Sequence, residues 1–259
     1  MSAGETPLVQ SALRVLKALE YLCQATQPVS LAELAAELEV AQPTAYRIVN
    51  TLIATGYARV NGFHGGYVAT LKVTELISRV RSGFDLRGAA RTAFRPVATH
   101  FGETITIAKA EGYEAIFVDK IQSGASLVFY CDIGRRLPMH IGAAARCILA
   151  HLDDDEVELY LGGELAARTV GTHTSPEVLR ALRSQTLEDG YVLSVDEVDI
   201  GVTAIAVPLV DPGGRILGAA AIANTSTAWT SEDRAARVTM MKAAAAAMSE
   251  TVAGGQGPA

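Results

Sequence analysis

Three stretches of this 259-residue chain carry side chains able to do chemistry. His140 falls between Cys131 and Cys147, the residue types of a thiol–imidazole pair. Neither cysteine has an activating motif beside it, and all three cysteines, Cys23 included, are widely spaced among apolar neighbours. Small buried hydrophobes therefore describe them better than a nucleophile, a disulfide framework or a zinc site. The run Asp153-Asp154-Asp155-Glu156 has the charge of a cation site. It opens an apolar-periodic segment, where acids favour a helix N-terminus, and that role fits it better. The third stretch sets Arg47 among Gln42, Pro43, Thr44, Tyr46, Asn50 and Thr51. Short polar groups can approach base edges and phosphates while an arginine spans to a phosphate or a guanine; a face meant only for water usually carries several Lys and Glu. Phosphate-cradling glycine loops, catalytic carboxylate pairs and zinc spacings are missing, and His64 and His173 sit in loop-like stretches, so neither catalysis nor a cofactor is expected.

That polar face needs a helix and a frame to present it. Val9, Leu13, Leu16, Leu19, Leu22 and Cys23 recur at three- or four-residue intervals, the stripe of an amphipathic helix that Pro28 closes. Ser30, with Glu33 three residues on, forms a capping box ahead of Leu31, Leu34, Ala35 and Leu38 and predicts a short second helix. After a turn at Glu39 to Ala41, Pro43 sits where a first helical turn tolerates proline. Ala45, Ile48, Val49, Leu52 and Ile53 make the inward stripe of this third helix, and Gly56 is placed to end it in the left-handed conformation. "YARVNGFHGGYVAT" reads as two short strands joined by a glycine-rich hairpin. Three helices and a hairpin in this order predict a winged helix-turn-helix, with the third helix in the major groove and the hairpin, near Asn61 and His64, against the backbone or minor groove. A polar surface helix that touches nothing is the alternative.

Length suits two modest domains, and 49% hydrophobic against 19% charged residues marks an ordinary globular chain rather than a disordered one. Apolar runs fall short of the roughly 18 residues a membrane span requires. The start "MSAGETPLVQ" lacks the basic and apolar regions of a signal peptide, so a cytoplasmic location without a membrane partner is expected. Of the net charge of −6, residues 1–82 hold seven basic against six acidic side chains and residues 83–259 fifteen against twenty-two. Only the first third could tolerate a polyanion, and its basic excess is slight.

From Leu71 to about residue 82, helical periodicity returns at Leu71, Leu76, Ile77 and Val80, a linker helix whose apolar face suits a second copy or its own domain. The second domain opens with a helix at about Leu86 to Phe101, expected to break at Pro96. Strand-like runs follow at "TITIAKA", "EAIFVDKI" and "SLVFYCD", then helices at "AARCILAHL", "DEVELYL" and "SPEVLRALRSQTLEDG". "GVTAIAVPLVD" and "RILGAAAIAN" are apolar strands joined by a turn at Asp211-Pro212-Gly213-Gly214, ahead of an alanine-rich helix from about Ser231 to Val252. Clustered strands with helices between and after them predict an antiparallel sheet with helices packed on it, an α+β arrangement. "LPMHIGAAARCILA" runs a small-residue stretch into a helix, whose first N–H groups can receive a carboxylate. Leu127, Phe129, Tyr130 and small alanines could line the rest of a pocket for a largely apolar acid, although packing alone accounts equally well for alanines in strands.

Over nearly its whole length the chain resembles the IclR family of bacterial transcription regulators. The resemblance rests on "ALRVLKALEYL", "SLAELAAELEVAQPTAYRIVNTLIATGY", "RRLPMHIGAAARCILA" and "LEDGYVLSVDEVDIGVTAIAVPLVDPGGRILGAAAIA". It implies a winged DNA-binding domain, a linker helix and a GAF-like effector domain in dimers or tetramers that control operons for small organic acids. By position, it places the base-reading helix at Pro43 to Thr55, with Thr44 and Arg47 at commonly polar positions. The effector pocket falls at Ala143 and Ala144, at Ser194 and Ala204, and at Ala221 and Ala223, with Met139 of "LPMH" beside them. This chain departs from the pattern at Ala145-Arg146, where members commonly carry Gly-Lys. It also has Ala204 in place of a cysteine found in several members, Ala221 and Ala223 in place of strand serines, and Pro43 in place of a frequent serine. Without those hydroxyls, a very small polar acid such as glyoxylate would leave buried groups unpaired at roughly 1 to 3 kcal/mol each, which favours an aromatic or bulkier carboxylate.

The expected organisation is a winged helix-turn-helix over residues 1–70, a linker helix over 71–83, an effector-binding and oligomerisation domain over 84–253 and a disordered tail over 254–259. The expected function is a sequence-specific regulator, acting as a repressor on double-stranded operator DNA as a homodimer or homotetramer under control of a small carboxylate. A ligand-blind oligomeric regulator and a small-molecule enzyme with an appended helix-turn-helix are the alternatives.

Overall fold

The computed structural model describes residues 8–62, 65–74, 86–122 and 132–253, and the chain divides into two compact units, Met1–Gly83 and Phe84–Ala259. In the first unit α1 (Gln10–Gln24), α2 (Leu31–Glu37) and α3 (Gln42–Ala54) precede an antiparallel hairpin of β1 (Ala58–Val60) and β2 (Tyr67–Ala69). Both halves of the capping box form: the Ser30 amide donates to Glu33 Oε2 at 2.8 Å and the Glu33 amide to Ser30 Oγ at 3.2 Å. Glu39 turns the chain at φ +52°, and Pro43 occupies the first turn of α3, where no intrahelical N–H bond is lost. α3 ends in a Schellman motif. Gly56, at φ +80°, donates to the Ile53 carbonyl at 2.9 Å and Tyr57 to the Leu52 carbonyl at 2.8 Å. Ala18 and Leu22 of α1, Leu34 of α2, and Ile48, Val49 and Leu52 of α3 bury against Val29 and Ala58, which closes a winged helix-turn-helix around one core.

The second unit runs α4 (Leu86–Phe101), β3 (Ile105–Glu111), β4 (Glu114–Ile121), β5 (Arg136–Pro138), α5 (Ala143–Ala150), α6 (Asp154–Leu161), α7 (Pro176–Asp189), β6 (Val192–Val195), β7 (Val202–Val210), β8 (Ile216–Thr225) and α8 (Ser231–Ala253). Its strands form one antiparallel sheet in the order β5-β4-β3-β8-β7-β6. Alternation along β7 and β8 sorts side chains by size. Ile205, Val207, Leu209 and Ile222 pack with α4 and α8, while Ala206, Ala219 and Ala221 face the layer that contains α5. Helices on both faces of an antiparallel sheet make the α+β arrangement that the strand and helix runs predict. The turn at Asp211 is as its residues demand, with Asp211 Oδ1 accepting from the Gly213 and Arg215 amides at 2.9 Å each. Pro96, in contrast, does not break its helix: α4 is continuous. Pro96 is solvent-exposed, whereas Phe94, Val97 and Ala98 are buried on either side of it, so packing holds both halves in line.

The acidic run serves α6 as expected: Asp154, Asp155 and Glu156 occupy its first turn, and Asp154 pairs with Arg183 at 2.7 Å. No metal-holding cluster occurs among the described residues. Residues 72–74 begin a helix; the rest of the expected linker helix, the strand at "SLVFYCD" up to Cys131, and the tail 254–259 lie outside the described residues.

A buried ion pair ties α8 to the sheet. Glu103 accepts from Arg237 Nε and Nη2 at 2.9 and 2.8 Å, from Trp229 Nε1 at 2.8 Å and from Asn224 Nδ2 at 2.7 Å. The Arg237 guanidinium also lies over the Phe101 ring, 4.3 Å from its centroid. Breaking one partner of such a pair strands the other in a low dielectric. Glu103→Ala should therefore lower the stability of this unit by about 3–5 kcal/mol, read in urea unfolding followed by fluorescence of Trp229, the single tryptophan.

Candidate functional sites

On α3 the inward stripe consists of Ala45, Ile48, Val49 and Leu52. A helical step of about 100° per residue then sends Gln42, Pro43, Tyr46, Arg47 and Thr51 into solvent and leaves Thr44 and Asn50 half-buried at the edge of that face. Tyr46 is 52% exposed on that face. The Thr51 hydroxyl donates to the Arg47 carbonyl at 2.9 Å, which keeps its lone pairs free to accept. Asn61 sits at the hairpin tip, its amide donating to the Gly66 carbonyl at 2.9 Å; His64 lies outside the described residues. Arg59, exposed on β1, adds a cation to the hairpin. Sequence reasoning passed it over, and a three-residue strand in which Val60 is exposed as well carries no alternation to read.

In the second unit a cavity of about 100 Å3 opens between the sheet and the start of α5. That is the same order as the roughly 150 Å3 cavity that takes up benzene. Six of the expected residues meet there: Ala143, Ala144, Ser194, Ala204, Ala221 and Ala223. Strand register brings the last four together. Ser194 pairs with Ala204, Ala204 with Ala223, and Thr106 with Ala221, so residues far apart in sequence stand side by side across β6, β7, β8 and β3. Met139 is corrected: it is wholly buried in the packed core on the α5 side and lines no part of the cavity. Leu127, Phe129 and Tyr130 lie outside the described residues. The lining also includes Thr104 and Thr106 from the β3 end, Phe117 of β4, Leu137 of β5, Val202 of β7, and Arg135, Val198 and Asp199 from flanking segments. Only the sheet order reveals Thr106, because its neighbour Ala221 is 115 residues away.

One amide at the helix start is already engaged. Gly142, at φ +84°, leads into α5, and a Cβ there would lie 2.5 Å from Val198 Cγ2. Its amide does meet a carboxylate, but one of the chain's own: Glu197 Oε2, at 3.1 Å. Glu197 is also 3.0 Å from Arg146 Nη2, with side chains 2% and 5% exposed, and Arg146 Nη2 donates to the Leu193 carbonyl at 2.6 Å. Burial pulls the Arg146 guanidinium below its usual range, and the Glu197 charge works against that.

Among the described residues His140 makes no thiol pair; Cys131 lies outside them. Its Nδ1 lies 2.6 Å from the Tyr160 hydroxyl and its Nε2 3.0 Å from the Ala166 carbonyl. A carbonyl only accepts, so Nε2 carries the proton and Nδ1 accepts from Tyr160. Burial lowers the His140 pKa and pushes the Cys147 thiol far above its usual range, which leaves a neutral, satisfied imidazole and an inert sulfur.

Comparison with known proteins places both units in one family. Residues 11–62 match the IclR helix-turn-helix domain and residues 78–250 the bacterial transcriptional regulator IclR C-terminal domain. The HTH-type transcriptional regulator KdgR of Escherichia coli (strain K12) is 31% identical over 92% of this chain and 90% of its own. The transcriptional repressor IclR of the same organism is 29% identical, covering 81% and 78%. Among solved structures, the Thermotoga maritima IclR has a TM-score of 0.81 at 23% identity, covering 93% of this chain and 98% of that one. An IclR homologue from Microbacterium hydrocarbonoxydans complexed with 4-hydroxybenzoate has a TM-score of 0.79 at 22% identity, covering 94% and 99%. The chain belongs to the IclR family of bacterial transcriptional regulators.

Proposed function

We propose that this regulator grips operator DNA through the exposed face of α3 and is controlled by a small carboxylate, aromatic in character, bound in the cavity beside α5. The observation that carries the reading is that cavity, where register alone gathers Ser194, Ala204, Ala221 and Ala223 around an apolar space of ligand size. Its alanine walls favour an apolar body, and a homologue of the same fold holds 4-hydroxybenzoate, an acid of that kind. On the DNA side, Arg47 and Asn50 read bases while Gln42, Thr44, Tyr46 and Thr51 fix the helix against phosphates and sugars, with the hairpin at Asn61 and His64 alongside. The N-terminal unit is nearly neutral, so a homodimer or homotetramer is the working form, since phosphate contacts from two copies add in free energy. Several relatives are named as repressors, and repression is the proposed sign here. Among the described residues no helix is long and apolar enough to cross a membrane, in keeping with work on DNA in the cytoplasm.

Arg47→Ala together with Asn50→Ala should weaken binding to DNA from the protein's own upstream region by at least about tenfold and flatten its preference over random DNA, since each base-reading contact contributes roughly 1–3 kcal/mol. Gel retardation at fixed salt measures both; unchanged affinity and preference would remove α3 from the interface. A thermal-shift screen of aromatic and aliphatic acids should find one that stabilises the protein by about 2.7 kcal/mol at 100 times its dissociation constant and alters DNA retardation without being consumed. Retardation indifferent to every acid would mark a ligand-blind regulator instead, and turnover of an acid an enzyme.

A further inference from the structure

Among the described residues, the buried serine and threonine side chains are Thr104, Thr186, Ser194 and Thr203. The two that stand away from the cavity beside α5 are satisfied within the protein: Thr186 donates to the Leu182 carbonyl at 2.7 Å and Thr203 to the Ser226 hydroxyl at 3.0 Å. The two that line it, Thr104 at 8% exposure and Ser194 at 3%, make no side-chain hydrogen bond to any described residue. A buried hydroxyl gives up its hydration and needs a partner in return, so these two are matched by whatever occupies the cavity they face.

Strand register sets the pair at opposite ends of one row. Ser194 of β6 pairs with Ala204 of β7, and Ala204 with Ala223 of β8. β3 pairs Ile105 with Ile222 and Thr106 with Ala221, and the same antiparallel register carried one residue further brings Thr104 across from Ala223. At about 4.8 Å per strand step the ends lie about 14 Å apart along the backbone, with two alanines between them. Less a hydrogen bond at each end, that leaves about 9 Å, room for one six-membered ring with an oxygen on either side. The two ends differ in chemistry. Ser194 adjoins the first turn of α5, because Arg146 Nη2 donates to the carbonyl of its neighbour Leu193 at 2.6 Å. Ala143 and Ala144 line the cavity in that turn, where N–H groups have no intrahelical acceptor and favour an anion. At the other end alternation turns Thr106 to the same face as Thr104, and its hydroxyl donates to the Ala221 carbonyl at 3.3 Å, which leaves its lone pairs to accept. Neutral hydroxyls that can both donate and accept complement another hydroxyl; a second carboxylate there would bury its charge among neutral groups.

We propose that Thr104, with Thr106 beside it, determines the specificity of the cavity by receiving a hydroxyl on the end of the ring opposite the carboxylate, so that the ligand is a para-hydroxylated aromatic acid. This rests on the carboxylate reading above and names the group that selects among aromatic acids.

The test is calorimetric titration of the full chain with 4-hydroxybenzoate and with 4-methylbenzoate, which matches its shape without the hydroxyl. The unaltered protein should bind the hydroxy acid about tenfold or more tighter than the methyl acid. Thr104→Val combined with Thr106→Val should bring that ratio to about one or below while the methyl acid still binds, which shows that the cavity has kept its fold. Should the double variant lose the methyl acid as well, Thr104→Val alone gives the same comparison. A ratio near one in the unaltered protein, a preference that survives both substitutions, or one that disappears instead in Ser194→Ala would each overturn the role of Thr104 and leave an acid-binding cavity standing. If neither acid binds while another acid of the screen above does, the para-hydroxyl assignment is overturned. If no acid binds, the carboxylate reading fails and this inference goes with it.

Discussion

A carboxylate cannot stay charged in a protein interior without partners, and the effector unit is arranged around one such group. Glu197 is 2% exposed, and three elements answer it: the amide of Gly142 at the entry to α5, the guanidinium of Arg146 one turn further on, and the loop that carries Glu197 between β6 and β7. The Thr169 hydroxyl, 3.3 Å from the Glu197 carbonyl, and that of Thr172, 2.9 Å away, hold the same loop from the other side. Removing any one of these contacts would leave a buried charge or a buried amide unmatched, so they stand together. The consequence is geometric: the start of α5 and the 196–201 loop are held at a fixed separation, and the space between them and the sheet is the cavity.

What keeps that space open is the distribution of side-chain size across the sheet. Protein interiors are packed as densely as organic crystals, so a void of about 100 Å3 survives only where neighbouring side chains are too short to fill it. β7 and β8 send Ile205, Val207, Leu209 and Ile222, with Ala220, towards α4 and α8, and Ala206, Ala219 and Ala221 towards α5. The first face is densely packed and reinforced by the Glu103–Arg237 pair, and the second leaves the cavity. The Cys147 thiol and the His140 ring are buried on the packed side, the thiol pushed far above its usual range and the ring hydrogen-bonded at both nitrogens.

The DNA-binding unit follows a different logic. The exposed polar face is presented by α3, and that helix is held by local devices: a capping box on α2, a proline in the first turn of α3, a Schellman turn at Gly56. Each is a contact between residues at most about six apart, which is why each could be named from the chain alone. With Ala45, Ile48, Val49 and Leu52 committed inward, the outward position of Arg47 and Tyr46 follows from helical period with nothing left to choose.

Period and local chemistry are thus what the amino-acid order determined without help: the three helices and hairpin, the outward polar face, the alternating strands, the acidic helix start at Asp154 and the turn at Asp211. Family pattern added which small residues would share a pocket, and six of them do. Tertiary structure decided the rest, because it depends on partners separated by tens of residues. The continuity of α4 through Pro96 is set by what Phe94 and Val97 pack against. The neighbours Thr106 and Ala221 are set by sheet order, and the burial of Met139 away from the cavity by the core around α5. At the helix start in "HIGAAAR" the amide of Gly142 is held by Glu197, 55 residues on, and no local rule contains that distance.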